Sequence, residues 1–260
     1  MYSKEELQSG LTTHIFGKKI FTYDSIDSTN ACAKTLASTG TDEGTVVIAE
    51  YQTAGRGRLG RTWQAESGSN LLFSTIIRPT LEINKVGLLP FFAAAGVALA
   101  LETMTDTRCE CKWPNDVLLN GKKCCGILLE SSFQQNVLDY AIVGIGVNVN
   151  QKLFGEDLKD RATSLSQEYG RVFDRRKIFQ QIMKSLELLY TEVKTGKFEV
   201  TLHEWKTRTK MFGKQVTLIQ AGERLYGRAM SLSADGGLVL ATPDGQRVCY
   251  AGDVTFAIQS

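Results

Sequence analysis

The spacing of hydrophobic positions changes several times along the chain, and each change predicts a new element. Apolar residues at helical spacing over residues 175–193 predict a long amphipathic helix with Asp174 as its N-cap. The cap-forming residues 27–29 predict a helix that continues over residues 31–37. A continuous apolar stretch rich in small residues predicts a core helix over about 90–104, and a short helix is predicted over residues 202–206.

Short apolar runs between turn signals predict strands. In the first two hundred residues they fall at 19–23, 45–51, 71–77, 109–113, 116–119, 123–130 and 137–149. From Gly213 onward the texture becomes β-rich, with runs at 215–219, 224–231, 237–241, 247–250 and 254–258. We therefore predict an α+β fold: an N-terminal segment (1–18), a main domain (19–209) and a small β-barrel domain (210–260).

Composition and charge limit the class of protein. Hydrophobic residues make up 43% of the chain and charged residues 22%, which is ordinary for a globular protein. A net charge of +2 argues against broad nucleic-acid binding. The longest uncharged run, residues 86–101, is shorter than the ~20 residues of a membrane helix. The first residues lack an apolar signal-peptide core, so we expect a cytoplasmic protein with no membrane partner.

Cysteine and histidine usage gives no metal site. The six cysteines include Cys109, Cys111, Cys124 and Cys125, but their spacing matches no common zinc pattern, and the chain has only two histidines. Without a signal peptide, reduced thiols are expected. We therefore interpret these cysteines as buried free thiols, and no metal ligand is identified from the sequence.

Residues 55–63 interleave glycines and arginines before a tryptophan. Gly55, Gly57 and Gly60 fit the dinucleotide spacing G-x-G-x-x-G. That motif needs a helix opening on its last glycine, and the residues after Gly60 are instead turn-rich and lead into a strand. A P-loop is excluded because Gly-Lys-Ser/Thr is missing. A plain solvated loop has no need of three glycines with their ordering cost, so we predict a loop that closes over an anion.

A second motif, Lys-Trp-Pro-Asn-Asp at residues 112–116, leads into a predicted hairpin. Asn120-Gly121 is a strong signal for a type I′ turn, which places Leu119 opposite Lys122, Leu118 opposite Lys123 and Val117 opposite Cys124. In this register Asp116 lies diagonal to Lys123 on the same face, within reach of its side chain. Taken alone, such a pair is more often a surface ion pair of little energetic value.

The order of these motifs along the chain resembles that of the bacterial biotin protein ligases. The resemblance rests on Asp-Ser-Thr-Asn at 27–30, Gln52 with the loop at 55–63, Lys-Trp-Pro-Asn-Asp at 112–116, Lys123 before Gly126, and Gly-Ile-Gly-Val-Asn at 144–148. It runs from about residue 20 to the C-terminus. It implies a catalytic domain like that of class II aminoacyl-tRNA synthetases, followed by an SH3-like β-barrel.

The resemblance also implies a reaction in two steps. The carboxylate of biotin attacks the α-phosphate of Mg²⁺-bound ATP, which gives biotinyl-5′-AMP and pyrophosphate, and a lysine of a biotin carboxyl carrier protein then displaces AMP. By analogy Lys123 bridges the two reacting anions, Asp116 holds it in place, and Arg58 is the third catalytic residue. The implied ATP-binding residues are Arg58, Arg61, Trp63, Asn115, Lys123 and Asn148.

Biotin itself is assigned by the resemblance to mainly neutral groups. The implied biotin-binding residues are Ser28, Thr29, Asn30, Gln52, Arg56, Gly57, Arg58 and Lys123. An uncharged ureido group needs neutral donors and acceptors, which Ser28, Thr29 and Gln52 supply. Closure of the glycine-rich loop would keep water from the reactive adenylate.

The sequence differs from the pattern common among the bacterial biotin protein ligases in the following features. Leu59 stands where an arginine is common, so the loop carries one charge fewer. Many relatives begin with a DNA-binding domain of about 60 residues, and only some 20 residues precede the main domain here, so we expect a ligase without a repressor role. A homodimer is compatible with the resemblance. Two other hypotheses stay open, a lipoate–protein ligase and a non-catalytic biotin-binding module.

Overall fold

Two β-sheets organise the molecule. The computed structural model describes residues 3–220 and 222–256. The strands of the first sheet are β1 (Ile20–Ile26), β2 (Val46–Gln52), β3 (Leu71–Ile77), β4 (Glu110–Lys112), β5 (Asp116–Leu119), β6 (Lys122–Gln134) and β7 (Val137–Val147). Those of the second are β8 (Gln215–Gln220), β9 (Glu223–Leu232), β10 (Leu238–Thr242), β11 (Gly245–Cys249) and β12 (Asp253–Phe256).

The first sheet has the order β1-β2-β3-β7-β6-β5-β4. Only the β1–β2 pair is parallel, and every other neighbouring pair is antiparallel. All seven residues of the interior strand β3 are buried, which explains its uninterrupted apolar and small-residue sequence. The mixed sheet confirms the predicted α+β class.

Six α-helices surround the sheets in the described part of the chain. They are α1 (Lys4–Gln8), α2 (Thr29–Ser38), α3 (Leu89–Thr105), α4 (Leu165–Tyr169), α5 (Arg175–Val193) and α6 (Glu199–Lys206). Helix α5 begins and ends where the spacing predicts, and the Asp174 carboxylate accepts from the Arg176 N–H at 2.9 Å. Short 3-10 turns occupy Arg58–Gly60 and Ile83–Leu88.

Helix α3 is the core helix that the apolar run predicts. The segment Ile83–Thr105 is long and apolar enough to cross a membrane, yet most of its residues are buried within the fold. It packs against α5 so closely that a Cβ at Gly96 would lie 2.7 Å from Leu186 Cδ2. The absence of that Cβ is therefore what permits the close helix contact.

The C-terminal strands form an antiparallel sheet of order β11-β10-β9-β8-β12. The five predicted strands are confirmed, although residues 257 and 258 of the last one lie outside the described residues. Among the described residues β11 and β12 are edge strands of this sheet, and their mutual pairing, which would close a barrel, is not part of its strand order. The two sheets share an apolar core, and the Trp113 indole N–H donates to the Gly236 carbonyl at 3.1 Å across their junction.

Two short helices escape the hydrophobic pattern. Helix α1 begins with a capping box, in which Ser3 and Glu6 each accept a hydrogen bond from the other's backbone N–H. Helix α4 begins at the cap Ser164, which accepts from the Gln167 N–H at 3.2 Å. Both span five residues, so neither contains enough turns to show a helical period.

Candidate functional site

A buried cluster of neutral side chains lies where the cap of α2 meets the sheet. Ser28 is the N-cap of this helix, and Thr29 and Asn30 form its first turn. All three are at most 4% exposed, although each carries a polar group. Their burial requires hydrogen-bond partners. Ser28 Oγ accepts from the Ala31 N–H of its own helix, and the sheet supplies the partners of Thr29 and Asn30.

Those partners come from three strands. Gln52 Oε1 accepts from the Thr29 N–H at 2.7 Å and lies 3.0 Å from Thr29 Oγ1. Ser74 Oγ lies 2.8 Å from Thr29 Oγ1 and 2.6 Å from Asn30 Oδ1. Asn30 Nδ2 donates to Glu130 Oε2 at 2.7 Å. We call Thr29, Asn30, Gln52, Ser74 and Glu130 the polar cluster.

A glycine makes room for this cluster. A Cβ built on Gly144 of β7 would lie 2.0 Å from Asn30 Oδ1, closer than any contact tolerates. Asn30 therefore rests directly on the sheet surface because residue 144 has no side chain. The pattern Gly-Ile-Gly at 144–146 thus has a structural reason at its first glycine.

The predicted loop at residues 55–63 is an ordered turn in this structure. Arg56 and Thr62 form an isolated bridge, and the Gly57 N–H donates to the Arg61 carbonyl at 2.7 Å. Leu59 and Gly60 both have positive φ, +55° and +73°, so the reversal of the chain falls on a non-glycine residue as well. A helix does not follow Gly60, which confirms that the dinucleotide motif is absent.

The loop's three arginines point to three different partners. Arg56 lies 3.5 Å from Glu130 of the polar cluster, and Arg58 Nη1 donates to Asn115 Oδ1 at 3.1 Å. Arg61 forms an ion pair with Asp253 of the C-terminal sheet. The arginines are thus held by protein groups, one of them from the second sheet.

The hairpin brings Lys123 and Asp116 together. Asn120 and Gly121 have φ of +48° and +78°, as a type I′ turn requires. Lys123 Nζ lies 2.7 Å from Asp116 Oδ1, so the predicted contact is confirmed.

One register prediction is wrong. Leu119 and Leu118 pair with Lys122 and Lys123 as expected, but Val117 pairs with Cys125 rather than Cys124. A β-bulge lies at this point: between the pairs Val117–Cys125 and Leu118–Lys123, β6 contains one extra residue, Cys124, that has no partner on β5. The bulge shifts the register beyond Lys123 by one residue, and Asp116 then pairs with Gly126.

Trp63 covers the sheet beside this pair. A Cβ on Gly126 or on Gly146, which pair across β6 and β7, would lie 2.6 or 2.5 Å from the indole ring. The Lys123 Nζ lies 5.6 Å from the centre of the ring, within cation–π range. The indole N–H is buried without a hydrogen-bond partner among the described residues.

Positive charge is concentrated here. Burial lowers the pKa of the Arg58 guanidinium, and the carboxylates of Asp116 and Asp253 oppose that shift. Burial likewise lowers the pKa of Lys112, which pairs with Asp116 across β4 and β5. Two lysines and an arginine therefore surround one aspartate, an arrangement suited to binding a polyanion.

The two asparagines assigned to the nucleotide differ in their surroundings. Asn115 Nδ2 donates to the Ile127 carbonyl, and its Oδ1 accepts from Arg58, so it joins the cationic group. Asn148 is 4% exposed and donates to the Thr163 carbonyl at 3.1 Å. Its Oδ1 is buried without a hydrogen-bond partner among the described residues. The structure thus joins Asn115 to the loop, and it places Asn148 directly after the end of β7.

Three residues of the site escape sequence reasoning. Ser74 and Glu130 join the polar cluster from β3 and β6, and Lys112 joins the cations from β4. Lys112 begins the Lys-Trp-Pro-Asn-Asp motif, and Glu130 is the last residue of the strand predicted over residues 123–130, so both stand in segments already singled out. Ser74 gives no signal beyond being one of two neighbouring polar residues, with Thr75, in a buried strand.

The cysteines near the hairpin are buried, as predicted. Cys109, Cys111, Cys124 and Cys125 are at most 1% exposed and are free thiols. Burial raises the pKa of Cys109 to about 12, and it raises the pKa of the other three as well. Such thiols stay protonated near neutral pH and have low nucleophilic reactivity.

Comparison with known proteins gives consistent results. Residues 22–148 match the model of the biotin/lipoate A/B protein ligase family, and residues 211–256 match the biotin protein ligase C-terminal domain. The chain is 36% identical over 254 residues to the bifunctional ligase/repressor BirA of Bacillus spizizenii, covering 97% of this chain and 78% of that protein. It is 33% identical over 235 residues to a biotin–[acetyl-CoA-carboxylase] ligase of Paracoccus denitrificans, covering 88% and 97%.

A solved structure extends the match to three dimensions. The biotin protein ligase of Aquifex aeolicus, in complex with biotin and ATP, superposes with a TM-score of 0.77 at 30% identity. The match covers 92% of this chain and 99% of that chain. These shared domains, sequences and folds show that the chain belongs to the biotin/lipoate A/B protein ligase family.

Proposed function

We propose that this protein is an ATP-dependent biotin protein ligase. It converts biotin and ATP to biotinyl-5′-AMP and pyrophosphate, and it then transfers biotin to a lysine of a biotin carboxyl carrier protein. The observation that carries the proposal is the closeness of two unlike groups, a mostly neutral polar cluster and a set of cations around Lys123. Asn30 of the cluster lies against Gly144, and Trp63, whose ring centre is 5.6 Å from Lys123 Nζ, lies against Gly146, two residues along the same strand. A neutral ureido ring and a triphosphate need these two environments side by side. The near full-length similarity to named biotin ligases supports the same conclusion.

In the first step two anions must meet. A carboxylate oxygen of biotin forms a bond to the α-phosphorus of ATP, and the bond to the β-phosphate oxygen breaks, releasing pyrophosphate. ATP enters as its Mg²⁺ complex. We propose that Lys123 bridges the two reactants and that Asp116, 2.7 Å from its ammonium, holds it in place. We assign to Lys123 and Arg58 the neutralisation of the charge that accumulates at the phosphorus.

In the second step the acceptor lysine is the nucleophile. Its neutral amine attacks the carbonyl carbon of the mixed anhydride, an amide forms, and AMP leaves with the electron pair of the broken bond. The amine's proton passes to solvent. Water would compete for the same carbonyl, so we propose that the loop at residues 55–63 covers the adenylate between the steps.

The remaining assignments follow the same division. For biotin we propose contacts with Ser28, Thr29, Asn30, Gln52, Arg56, Gly57, Arg58 and Lys123. For ATP we propose Arg58, Arg61, Trp63, Asn115, Lys123 and Asn148, and we add Lys112, which pairs with Asp116 across β4 and β5. The domain division at residue 210, a homodimer, a cytoplasmic location and the absence of a nucleic-acid partner stay predictions.

The test is to incubate the protein with labelled biotin, ATP and a biotin carboxyl carrier domain. We expect label on the carrier only when ATP is present, and no label on a carrier whose acceptor lysine is replaced. Labelled lipoate with a lipoyl domain is the parallel arm, because the matching family model includes lipoate ligases. Labelling of the lipoyl domain instead would favour a lipoate ligase. Biotin binding without transfer to any carrier would favour a non-catalytic binding module.

A further inference from the structure

Glu130 is the single carboxylate in the otherwise neutral polar cluster. Its side chain is 26% exposed, and it contacts both Asn30 and Arg56. No part of the proposed reaction requires an acid at this place. Its position at the end of a hydrogen-bonded chain gives it a different use.

The chain of hydrogen bonds has one direction. Asn30 Nδ2 faces two groups that only accept, Glu130 Oε2 at 2.7 Å and the Leu128 carbonyl at 3.4 Å. The amide group of Asn30 is therefore oriented with Oδ1 toward Ser74. Because Oδ1 has no proton, the Ser74 hydroxyl donates across the 2.6 Å contact.

The direction continues to the far end of the cluster. Ser74 has given its one proton to Asn30, so the Thr29 hydroxyl proton goes to one of its two neighbours in the cluster, Ser74 Oγ at 2.8 Å or Gln52 Oε1 at 3.0 Å, and in either case it is not free for a ligand. Gln52 Oε1 already accepts from the Thr29 N–H at 2.7 Å. This leaves Thr29 Oγ1 as an acceptor and the Gln52 Nε2 amide as a donor.

We propose that Glu130 is a positioning residue that sets the donor and acceptor pattern of the biotin site. By accepting from Asn30, its carboxylate aligns Ser74 and Thr29, and the site presents one acceptor and one amide donor to the ureido group. A ureido group needs this pair, since it carries N–H donors and a carbonyl acceptor. The proposal rests on the proposed function, because the ligand it orders is biotin.

The test compares two substitutions of Glu130 by calorimetric titration with biotin in the absence of ATP. Glu130→Ala removes the acceptor, and we expect biotin Kd to rise about tenfold, the usual result of leaving a buried amide unsatisfied. Glu130→Gln keeps an acceptor oxygen, and we expect it to restore Kd to within about twofold of the original protein. The KM for ATP in adenylate formation should stay within about twofold for both variants.

The second readout is the coupling between Glu130 and Ser74 in biotin binding. Ser74→Ala removes the hydroxyl that links Asn30 to Thr29 and leaves Glu130 unchanged. If both act through Asn30, the double variant should bind biotin about as weakly as the weaker single variant, whereas independent effects multiply. Thermal unfolding of each variant shows that the fold persists, and Glu130→Gln serves where Glu130→Ala unfolds.

Three results would overturn the proposal. Unchanged biotin affinity in a folded Glu130→Ala would show that the acceptor is not needed. Equal weakening by the Ala and Gln variants would place the effect in the charge that faces Arg56. If the effects of the two substitutions on biotin Kd multiplied in the double variant, Glu130 and Ser74 would not be coupled through Asn30. The unsubstituted protein is the reference: if it bound no biotin, the proposed function would fall together with this proposal, and the variants would not be at issue.

Discussion

The polar cluster and the arginine loop lie side by side and are built in opposite ways. The cluster is buried, mostly neutral and fixed by side-chain contacts between a helix cap and three strands. The loop has charged side chains, exposed in part, whose partners are other protein groups. One region is complete before any ligand arrives, and the other must exchange partners to bind one.

The difference agrees with the chemistry of the two ligands that we propose for these regions. A neutral ring is recognised by shape and by a fixed set of donors and acceptors, so a preformed cluster loses little on binding. A triphosphate is recognised by charge, and unpaired arginines would repel one another without it. Carboxylates and an amide hold those arginines in the structure, and under the proposed function ATP would replace these partners.

The largest expected effect separates chemistry from binding. Lys123→Ala removes the cation between the two anions, and we expect adenylate formation to fall about 10³-fold, the range for loss of one key electrostatic group. Biotin and ATP should each still bind within about tenfold, because the cluster and the arginines remain. Pyrophosphate release in a single-turnover experiment measures the rate.

The matched control is Lys122→Ala, one residue earlier on the same strand and paired with Leu119. It removes an equal charge with no partner in the site, and activity should stay within about twofold. Near-normal pyrophosphate release by Lys123→Ala would refute its assigned role.

The next effect acts on the cluster alone. Gly144→Ala places a Cβ against Asn30 Oδ1, which must move, and overpacking of this kind costs about 1–3 kcal/mol. We expect KM for biotin to rise by roughly 10- to 100-fold and KM for ATP to change little. Steady-state kinetics with each substrate varied in turn separates the two.

Ile145→Val, on the opposite face of the same strand, is its control. It removes one buried methylene and should lower thermal stability with no selective effect on biotin. Equal changes in both KM values for Gly144→Ala would break the distinction between the two regions.

The free energy of unfolding should depend on pH through the buried thiol of Cys109, near the hairpin. Burial raises the pKa of Cys109 from 9.0 to about 12, so the folded state holds this proton more tightly than the unfolded chain. Its contribution to stability is present below pH 9 and is lost as pH rises toward 12, by about 1.4 kcal/mol per pH unit. Urea unfolding between pH 8 and 10.5 measures the slope.

Cys109→Ala is the comparison for that slope. The variant should lose less stability per pH unit than the original protein above pH 9, although it starts from a lower value. Parallel slopes would show that the Cys109 thiol does not contribute to the alkaline loss.

The smallest effect concerns the partner of Arg61. Asp253→Asn releases this arginine from an ion pair whose side chains are 67% and 35% exposed, so little stability is at stake. We expect KM for ATP to fall about twofold, because a carboxylate no longer competes with the triphosphate, while KM for biotin stays constant. Asp244→Asn, in an exposed turn of the same sheet, is the control. A rise in KM for ATP would show that Asp253 helps ATP to bind.

Local signals in the sequence predict local structure well in this chain. Helix α5 with its cap Asp174, strand β3 and the Asn120–Gly121 turn are all confirmed, because each depends on nearby residues. The contact between Lys123 and Asp116 follows from that turn. Ser3 and Glu6 have the spacing of a capping box, but the sequence analysis does not predict α1, because the helix is too short to show a helical period.

Contacts between distant segments could not be predicted in this way. The β-bulge at Val117 has no glycine or proline to announce it, and it shifts Cys124 out of its expected pairing. Ser74 and Glu130 enter the polar cluster only because β3 and β6 flank β7 beneath α2. Likewise nothing near Arg61 indicates that its partner lies in the C-terminal sheet.

Under the proposed function, the cations around Lys123 promote the attack of the biotin carboxylate on the α-phosphate of ATP. Biotin-dependent exchange of labelled pyrophosphate into ATP measures that step without an acceptor protein. We expect pyrophosphate exchange that requires biotin, persists in Lys122→Ala and is lost in a folded Lys123→Ala. Exchange that is absent from the unsubstituted protein, or that survives in Lys123→Ala, would contradict it.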